Sequence, residues 1–467
     1  MDYLLFFLII IGAAFLLPEL AKKIHLPYVT SIILAGIIIG PYGFKLFDLG
    51  DIASFLAFLG AIFLMFTAGL DVGLSSLRKI GKKAIIIALF NGIIPFATGY
   101  YIANYFGYNL ITSLILGSIF VSSSIAIIIP SLKETKLAET DLGKIIISST
   151  VFEDVASLLI LAFLLQHISP DPVLPLAAYI PVVLASLVLL FFLLPRLQKL
   201  FIEQKLETQK EDVFEGELRF IIIVLIITAL FFELLGIHAI IAGFFVGLFL
   251  SDAIKHRLVF VKIYTISYGI FIPIFFLVLG MKTDLSALLS VENVIITGTI
   301  VFGLIFSKFI SGFFGSWIAG NSKHESLIVA SATIPQLSTT LVVALLATEF
   351  GLFDNVLLTS IILLSIITTL IAPFLIKFFH RRLEINLQKQ QFEKEKHLHG
   401  IKKETKQLKK KEKRIKQKEQ KIKTSKEKTK KHTKDIKKQK TDIKKIKKVI
   451  RKKDKKTNSQ PRQQPRS

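Results

Sequence analysis

Two adjacent acids, Glu153 and Asp154, stand near the middle of an apolar run from Leu142 to Gln166. A lone carboxylate in hydrocarbon is expensive unless it is paired, protonated or open to water. At helical pitch Ser149 falls one turn before Glu153 and Thr150 one turn before Asp154, so hydroxyls share the faces of the acids. Carboxylate and hydroxyl oxygens are the ligands that hard cations take. One carboxylate holds a proton or a cation but not both well, and competition of that kind is exchange. A structural acid neutralised by a fixed partner is the plainer alternative.

Lys308 lies deep in another apolar run, among Ile305, Phe306, Phe309 and Ile310, and needs a counter-charge that Glu153 or Asp154 would supply. A Lys whose ion pair breaks when the acid is loaded can itself release a proton; a permanent bridge between two segments is the alternative. Two more runs are poor uninterrupted helices. One holds Gly117, Ser122, Ser123, Ser124 and Pro130; the other holds Pro335, Gln336, Ser338, Thr339 and Thr340. Pro335 removes a backbone donor in mid-run, and hydroxyls can satisfy the freed carbonyls. Both are expected to be broken helices facing the acids. Ser123 and Ser124 then join Asp154, Glu153 and Thr150 as ion and proton ligands, unless these hydroxyls only bond back to carbonyls in their own helices. Asn91, Asp71, Glu233, His238 and Asp284 read as helix packing or capping, and His25 and His167 as interfacial.

Such residues need elements that hold them in a bilayer. The chain is 52% hydrophobic with 40 Phe. Apolar runs able to cross about 30 Å of hydrocarbon begin near Tyr3, Tyr28, Ile52, Lys83, Leu110, Leu142, Val173, Leu218, Ile237, Ile263, Asn293, Glu325 and Asn355, thirteen in all. The fold class expected is an all-α membrane protein. The first run has an acid, Asp2, where a cleaved signal carries cations, and reads as a retained helix. Lys and Arg of short loops stay cytoplasmic. Alternate loops carry eighteen of them, from Lys22 and Lys23 through Arg78, Lys79, Lys199, Lys205, Lys210 and Lys255 to Lys323; the others hold only Lys45 and Lys282. The N-terminus is therefore expected outside and the C-terminus in the cytoplasm of a plasma-type membrane.

The runs also repeat. Ala35-Gly36-x-x-x-Gly40 in the second returns as Ala242-Gly243-x-x-x-Gly247 in the ninth. Gly69-Leu70-Asp71-Val72-Gly73-Leu74-Ser75 closing the third is answered by Gly280-Met281-Lys282-Thr283-Asp284-Leu285-Ser286 closing the tenth, and Ser122-Ser123-Ser124 by Pro335 to Thr340. Two six-span units joined by the seventh span would be inverted by parity alone, an architecture associated with secondary transport.

After His380 the composition changes. Residues 381–467 hold 36 of the 58 Lys and Arg but 10 of the 34 Asp and Glu, so residues 1–380 form a nearly neutral membrane domain and the rest a Lys-rich cytoplasmic tail. The tail lacks G-x-G-x-x-G and enough apolar residues for a core, and it is too poor in aromatics for specific nucleic-acid binding. Near an anionic leaflet it would be attracted by roughly 1 kcal/mol per Lys; a solvated tail without a partner is the alternative. Ile401, Leu408, Ile415, Ile422, Ile436, Ile443 and Ile450 fall on one seven-residue grid with Thr429 in the gap. A coiled coil needs two apolar positions per heptad, so the expectation is a charged, partly frayed, weakly self-associating helix. With no Cys, disulfides and thiolate metal sites are excluded; no cofactor and no enzyme chemistry are expected.

The thirteen spans, A-G-x-x-x-G, Ser122-Ser123-Ser124, Phe152-Glu153-Asp154, Pro273-x-Phe275-Phe276-x-x-x-Gly280 and Lys308 together resemble the monovalent cation:proton antiporter-2 family over residues 1 to about 380. The resemblance implies crossed unwound helices in spans five and twelve, a core moving against a homodimer-forming panel, and exchange of Na+ or K+ for H+. Asp154 would be the essential ion and proton carboxylate, Glu153 its neighbour and Lys308 the compensating base. Electrogenic sodium exchangers of this family tend to have Asp at the place of Glu153, and electroneutral or potassium-efflux members Asn or Gln. An acid beside Lys308 therefore favours more than one proton per cation. A gated cation channel, a potassium-efflux system without its nucleotide-binding domain and a sensor using the fold are the alternatives.

Overall fold

The computed structural model describes residues 3–22, 27–45, 49–72, 81–168, 175–198, 215–252, 254, 257–424 and 429–458. Asp2, Lys23, His25, Gly73, Leu74, Ser75, Arg78, Lys79, Val173, Lys199, Lys205, Lys210 and Lys255 lie outside the described residues. The chain falls into two compact units, Met1–His380 and Arg381–Ser467.

The first unit runs α1 Tyr3–Lys22, α2 Tyr28–Ile39, α3 Asp51–Val72, α4 Lys82–Tyr105, α5 Leu110–Val121, α6 Ile125–Glu134, α7 Asp141–Ile168, α8 Leu176–Gln198, α9 Gly216–Leu234, α10 Ala239–Leu250 and α11 Arg257–Ile266. A π turn, Ser267–Phe271, leads into α12 Ile272–Met281, and a 3-10 turn, Leu285–Leu289, precedes α13 Val291–Ile318. Then come α14 Lys323–Ala332, α15 Ser338–Glu349 and α16 Asn355–Thr424, which continues into the second unit's residues. Each apolar run thus falls on a helix or a pair of half-helices. Among the described residues there is no strand, and eight helical stretches are long and apolar enough to cross a membrane, with α2, α10 and α15 as shorter apolar helices. The protein is an all-α, multi-pass membrane protein. Exposed Ile180, Leu184, Val188 and Phe192 on α8, and Phe302 and Phe306 on α13, are what a lipid-facing surface requires.

Close helix approach fixes the interior. A Cβ on Gly36 would lie 2.1 Å from Leu277 O, and one on Gly280 2.2 Å from Ile33 O. In the same way Gly69 meets Phe244 O at 2.0 Å and Gly247 meets Phe66 O at 2.0 Å. Only glycine lets backbones pack this closely. The second run therefore packs on the tenth and the ninth on the third: each glycine-rich helix rests on the run that follows its own counterpart.

Two runs are interrupted. Between α5 and α6 the chain is extended at Ser122 (φ −66°, ψ 163°) and Ser124 (φ −87°, ψ 105°). Between α14 and α15 the helix is broken across residues 333–337. Ser124 N donates to Pro335 O at 2.7 Å, so each break supplies the backbone partner the other lacks. Pro130 does not make the break expected of it. It sits inside α6, where the helix runs on to Glu134; the interruption is made instead by serines whose backbone bonds leave their own helix.

In the second unit, α17, Thr429–Asn458, follows α16. Ile401, Leu408 and Ile415 pack with Ile436, Ile443 and Ile450 in one buried cluster. Lys447 pairs with Glu412 at 2.6 Å and Lys440 with Glu419. Later residues of one helix meet earlier residues of the other, so the pair is antiparallel. This corrects the expectation of a frayed single helix: the grid is two half-grids facing each other, and a single apolar layer roofed by Lys stems is enough to bury them.

Candidate ion-binding site

The two breaks meet beside the middle of α7. Glu153 and Asp154 are both buried there, at 1% and 3% exposure, and Lys308 of α13 is completely buried. Lys308 Nζ donates to Glu153 Oε2 at 2.9 Å, Ser123 Oγ at 2.9 Å and Val121 O at 2.6 Å. An ammonium has three donors, and all three are used. The Val121 bond caps the C-terminal end of α5, whose partial negative charge favours a cation. Glu153 is Lys308's partner, and its other oxygen accepts from Asn91 Nδ2 at 3.1 Å. Ser123 Oγ lies 2.9 Å from Glu153 Oε2 and 2.8 Å from Thr333 O, so its one proton serves either.

Asp154 is treated differently. Its one hydrogen bond among the described residues comes from Ser123 N, at a long 3.4 Å. Thr339 Oγ1 interacts with it without reaching hydrogen-bond geometry, and Ser124 Oγ, also buried, has no hydrogen-bond partner among the described residues. A cleft of about 10 Å³ is lined by Asp154, by Ile125 and Ala126 at the start of α6, and by Ser338 at the start of α15. Asp154 thus stands where two half-helix N-termini converge, and their exposed N–H dipoles make an anion tolerable there.

Of the other residues the sequence singled out, Gln336 joins the breaks rather than the acids. Its Nε2 donates to Ser122 O at 2.6 Å, and Ser122 Oγ lies 3.2 Å from its Oε1 and 3.0 Å from Thr340 Oγ1. Thr340 also bonds Gln336 Oε1. Pro335 supplies the carbonyl for Ser124 N, and Ser338 and Thr339 open α15. Thr150 is not drawn into the acid network: its hydroxyl donates to Ile146 O at 3.0 Å, as Ser149's does at 2.9 Å. His238 and Asp284 cap α10 and the 3-10 turn as read.

Asn91 was read as ordinary helix packing, and the structure overturns that. It is fully buried, donates to Glu153 and accepts from Ser311 Oγ at 2.5 Å, tying α4, α7 and α13 together. An amide in the middle of an apolar run was the available signal. Ser311, one short turn after Lys308, was missed with it.

Residues 8–382 match the family model described as sodium/hydrogen exchanger, transmembrane. The chain is 35% identical over 387 residues, 80% of its length and 96% of the other's, to a protein of Methanocaldococcus jannaschii named "probable Na+/H+ antiporter 3". It is 25% identical over 390 residues, 83% of its length and 100% of the other's, to the Na+/H+ antiporter of Enterococcus hirae. Its fold is similar to the structure of the sodium proton antiporter MjNhaP1 from Methanocaldococcus jannaschii at pH 8, with a TM-score of 0.60 at 17% identity, covering 81% of this chain and 97% of that one. These relatives are named as transporters, not enzymes. With the family model matched across nearly all of the first unit and a relative related over almost its whole length, the chain is a multi-pass membrane member of the sodium/hydrogen exchanger family.

Proposed function

We propose that the protein exchanges Na+ for H+ at Asp154 by alternating access, with K+ as a second candidate cation. The supporting observation is the inequality of the two acids. Glu153 has three donors within 3.1 Å, whereas Asp154 has one long backbone bond. A buried carboxylate so poorly supplied needs either a proton or a cation, and each excludes the other. Ser123, Ser124 and Thr339 are the neighbouring oxygens able to complete a cation's shell. Thr150 stays one turn away, with lone pairs to offer.

Lys308 sets the charge balance. With a proton on Asp154 and the Glu153–Lys308 pair intact, the site is neutral. A cation drawn between both acids separates that pair, and Lys308 without its counter-charge releases a second proton. The loaded site then carries one net negative charge, so two protons move against one cation and transport is electrogenic. The antiporter-2 branch assignment rests on the same Glu153, Asp154 and Lys308.

The paired packing of α2 on α12 and α10 on α3 supports inverted repeats related by a two-fold operation. Basic loops on alternate faces support an external N-terminus and a cytoplasmic tail in a plasma-type membrane. A homodimer follows the family resemblance, and the basic hairpin suits anionic lipid.

Proteoliposomes holding a pH dye test this directly. Addition of Na+ is expected to dissipate an imposed ΔpH, with Na+, K+ and Li+ ranking the cations, and clamping the potential is expected to change the rate. A rate indifferent to potential removes the two-proton stoichiometry. Currents that persist without any proton gradient, far above carrier turnover, contradict exchange altogether.

A further inference from the structure

The cleft that reaches Asp154 has a second acid in its wall. Asp71, at the end of α3, lines it together with Ala68, Tyr268 of the π turn, Ile125 and Ser338. Asp71 is exposed and Asp154 buried, so one carboxylate stands at the open end of the passage and the other at its closed end. Asp71 was expected to do no more than close its helix. Instead its Oδ1 accepts from Tyr264 Oη at 2.6 Å, and it makes no other hydrogen bond among the described residues. Lys133, at the end of α6, also acts on it electrostatically.

Tyr264 stacks on Tyr268, with centroids 5.8 Å apart and planes within 10°. Tyr268 belongs to the π turn Ser267–Phe271, and π turns recur at functional sites because they re-aim a side chain within an otherwise regular helix. The free volume of about 10 Å³ holds roughly one water, so an ion passing Tyr268 sheds most of its hydration shell there. Oxygens must replace that shell, and the wall offers the Asp71 carboxylate, the Tyr268 hydroxyl and the Ser338 hydroxyl.

We propose that Asp71 forms a second, outer monovalent-cation site, the first carboxylate met by an ion travelling to Asp154, with Tyr268 as the gate between them. This rests on Asp154 being the exchange carboxylate. The two sites divide the work. The outer one gathers partly hydrated cations and sets apparent affinity, and the inner one exchanges the cation for protons. Lys133 also acts on this mouth, and the acid offsets its repulsion of an incoming cation.

The chain has no Cys, so Ala68→Cys in the full-length protein places a unique thiol on the wall between the two acids. In proteoliposomes, Na+ is expected to slow its modification by a small cationic methanethiosulfonate. Asp71→Asn is expected to remove that protection and to raise the half-saturating Na+ by about tenfold, more than it lowers the maximal rate. Asp71→Glu is expected to recover much of the affinity. Tyr264→Phe separates binding from bracing: it removes the hydrogen bond but keeps the carboxylate, so it should shift the half-saturating Na+ far less than Asp71→Asn. Equal shifts in those two variants, or an Ala68→Cys thiol that Na+ never protects, overturn the proposal. Exchange surviving in Asp154→Asn marks failure of the inner-site reading instead.

Discussion

Asn91 is where a single uncharged side chain bears on the charge network. Removing it leaves Glu153 Oε1 and Ser311 Oγ without their mutual partner, and an unmet buried acceptor costs roughly 1–3 kcal/mol, more beside a charge. Asn91→Ala is therefore expected to lower the thermal midpoint in detergent and slow exchange, whereas Asn91→Gln should recover part of each. Unchanged melting would mean the amide is not holding Glu153. Glu153, Asp154 and Lys308 were legible in the sequence because a charge in an apolar run has no cheap explanation. Asn91 was not, since an amide can satisfy itself locally and its partner lies 62 positions away. Thr150 misled for the opposite reason: spacing put it on the face of Asp154, but its proton goes to the carbonyl one turn back.

At the scale of helices, glycine spacing carried real information about packing. Gly36, Gly69, Gly247 and Gly280 each press against a carbonyl at 2.0–2.2 Å from where a Cβ would be. Gly247→Val is expected to part α10 from α3 and abolish recovery of monodisperse protein in size-exclusion chromatography. Gly12→Ala, with nothing within 4 Å, should be silent in the same assay. Recovery of intact Gly247→Val protein would show that the contact yields. Pro335 and the Ser122–Ser124 run announced the two breaks, because neither can sustain a helix ladder alone. Pro130 did not mark one: it lies exposed inside α6, and the helix runs on past it to Glu134. The π turn was invisible: Ser267–Phe271 is built of residues that an ordinary helix would accept.

For the molecule as a whole, every residue of the candidate site belongs to the first unit, so a chain ending at His380 is expected to retain cation/proton exchange. The tail's hairpin was hidden by its own regularity, because a seven-residue grid interrupted at Thr429 alone reads as one continuous helix. Lys447 beside Glu412, helped by Lys416 and Lys409, holds that carboxyl below the usual value of 4.5. The pair's contribution is complete above that value and is lost as pH falls through the lowered one. Hydrogen exchange of residues 401–420 and 429–450 should therefore rise together only on acidification below 4.5, and Leu408→Asn should raise both at neutral pH; independent changes would contradict the hairpin.

The two adjacent acids can be separated by one direct measurement. In proteoliposomes carrying the full chain, Asp154→Asn is expected to abolish Na+-dependent dissipation of ΔpH while the protein stays folded, because the Glu153–Lys308–Asn91 network does not include it. Unimpaired exchange in folded Asp154→Asn protein would contradict the assignment of the exchange to this carboxylate.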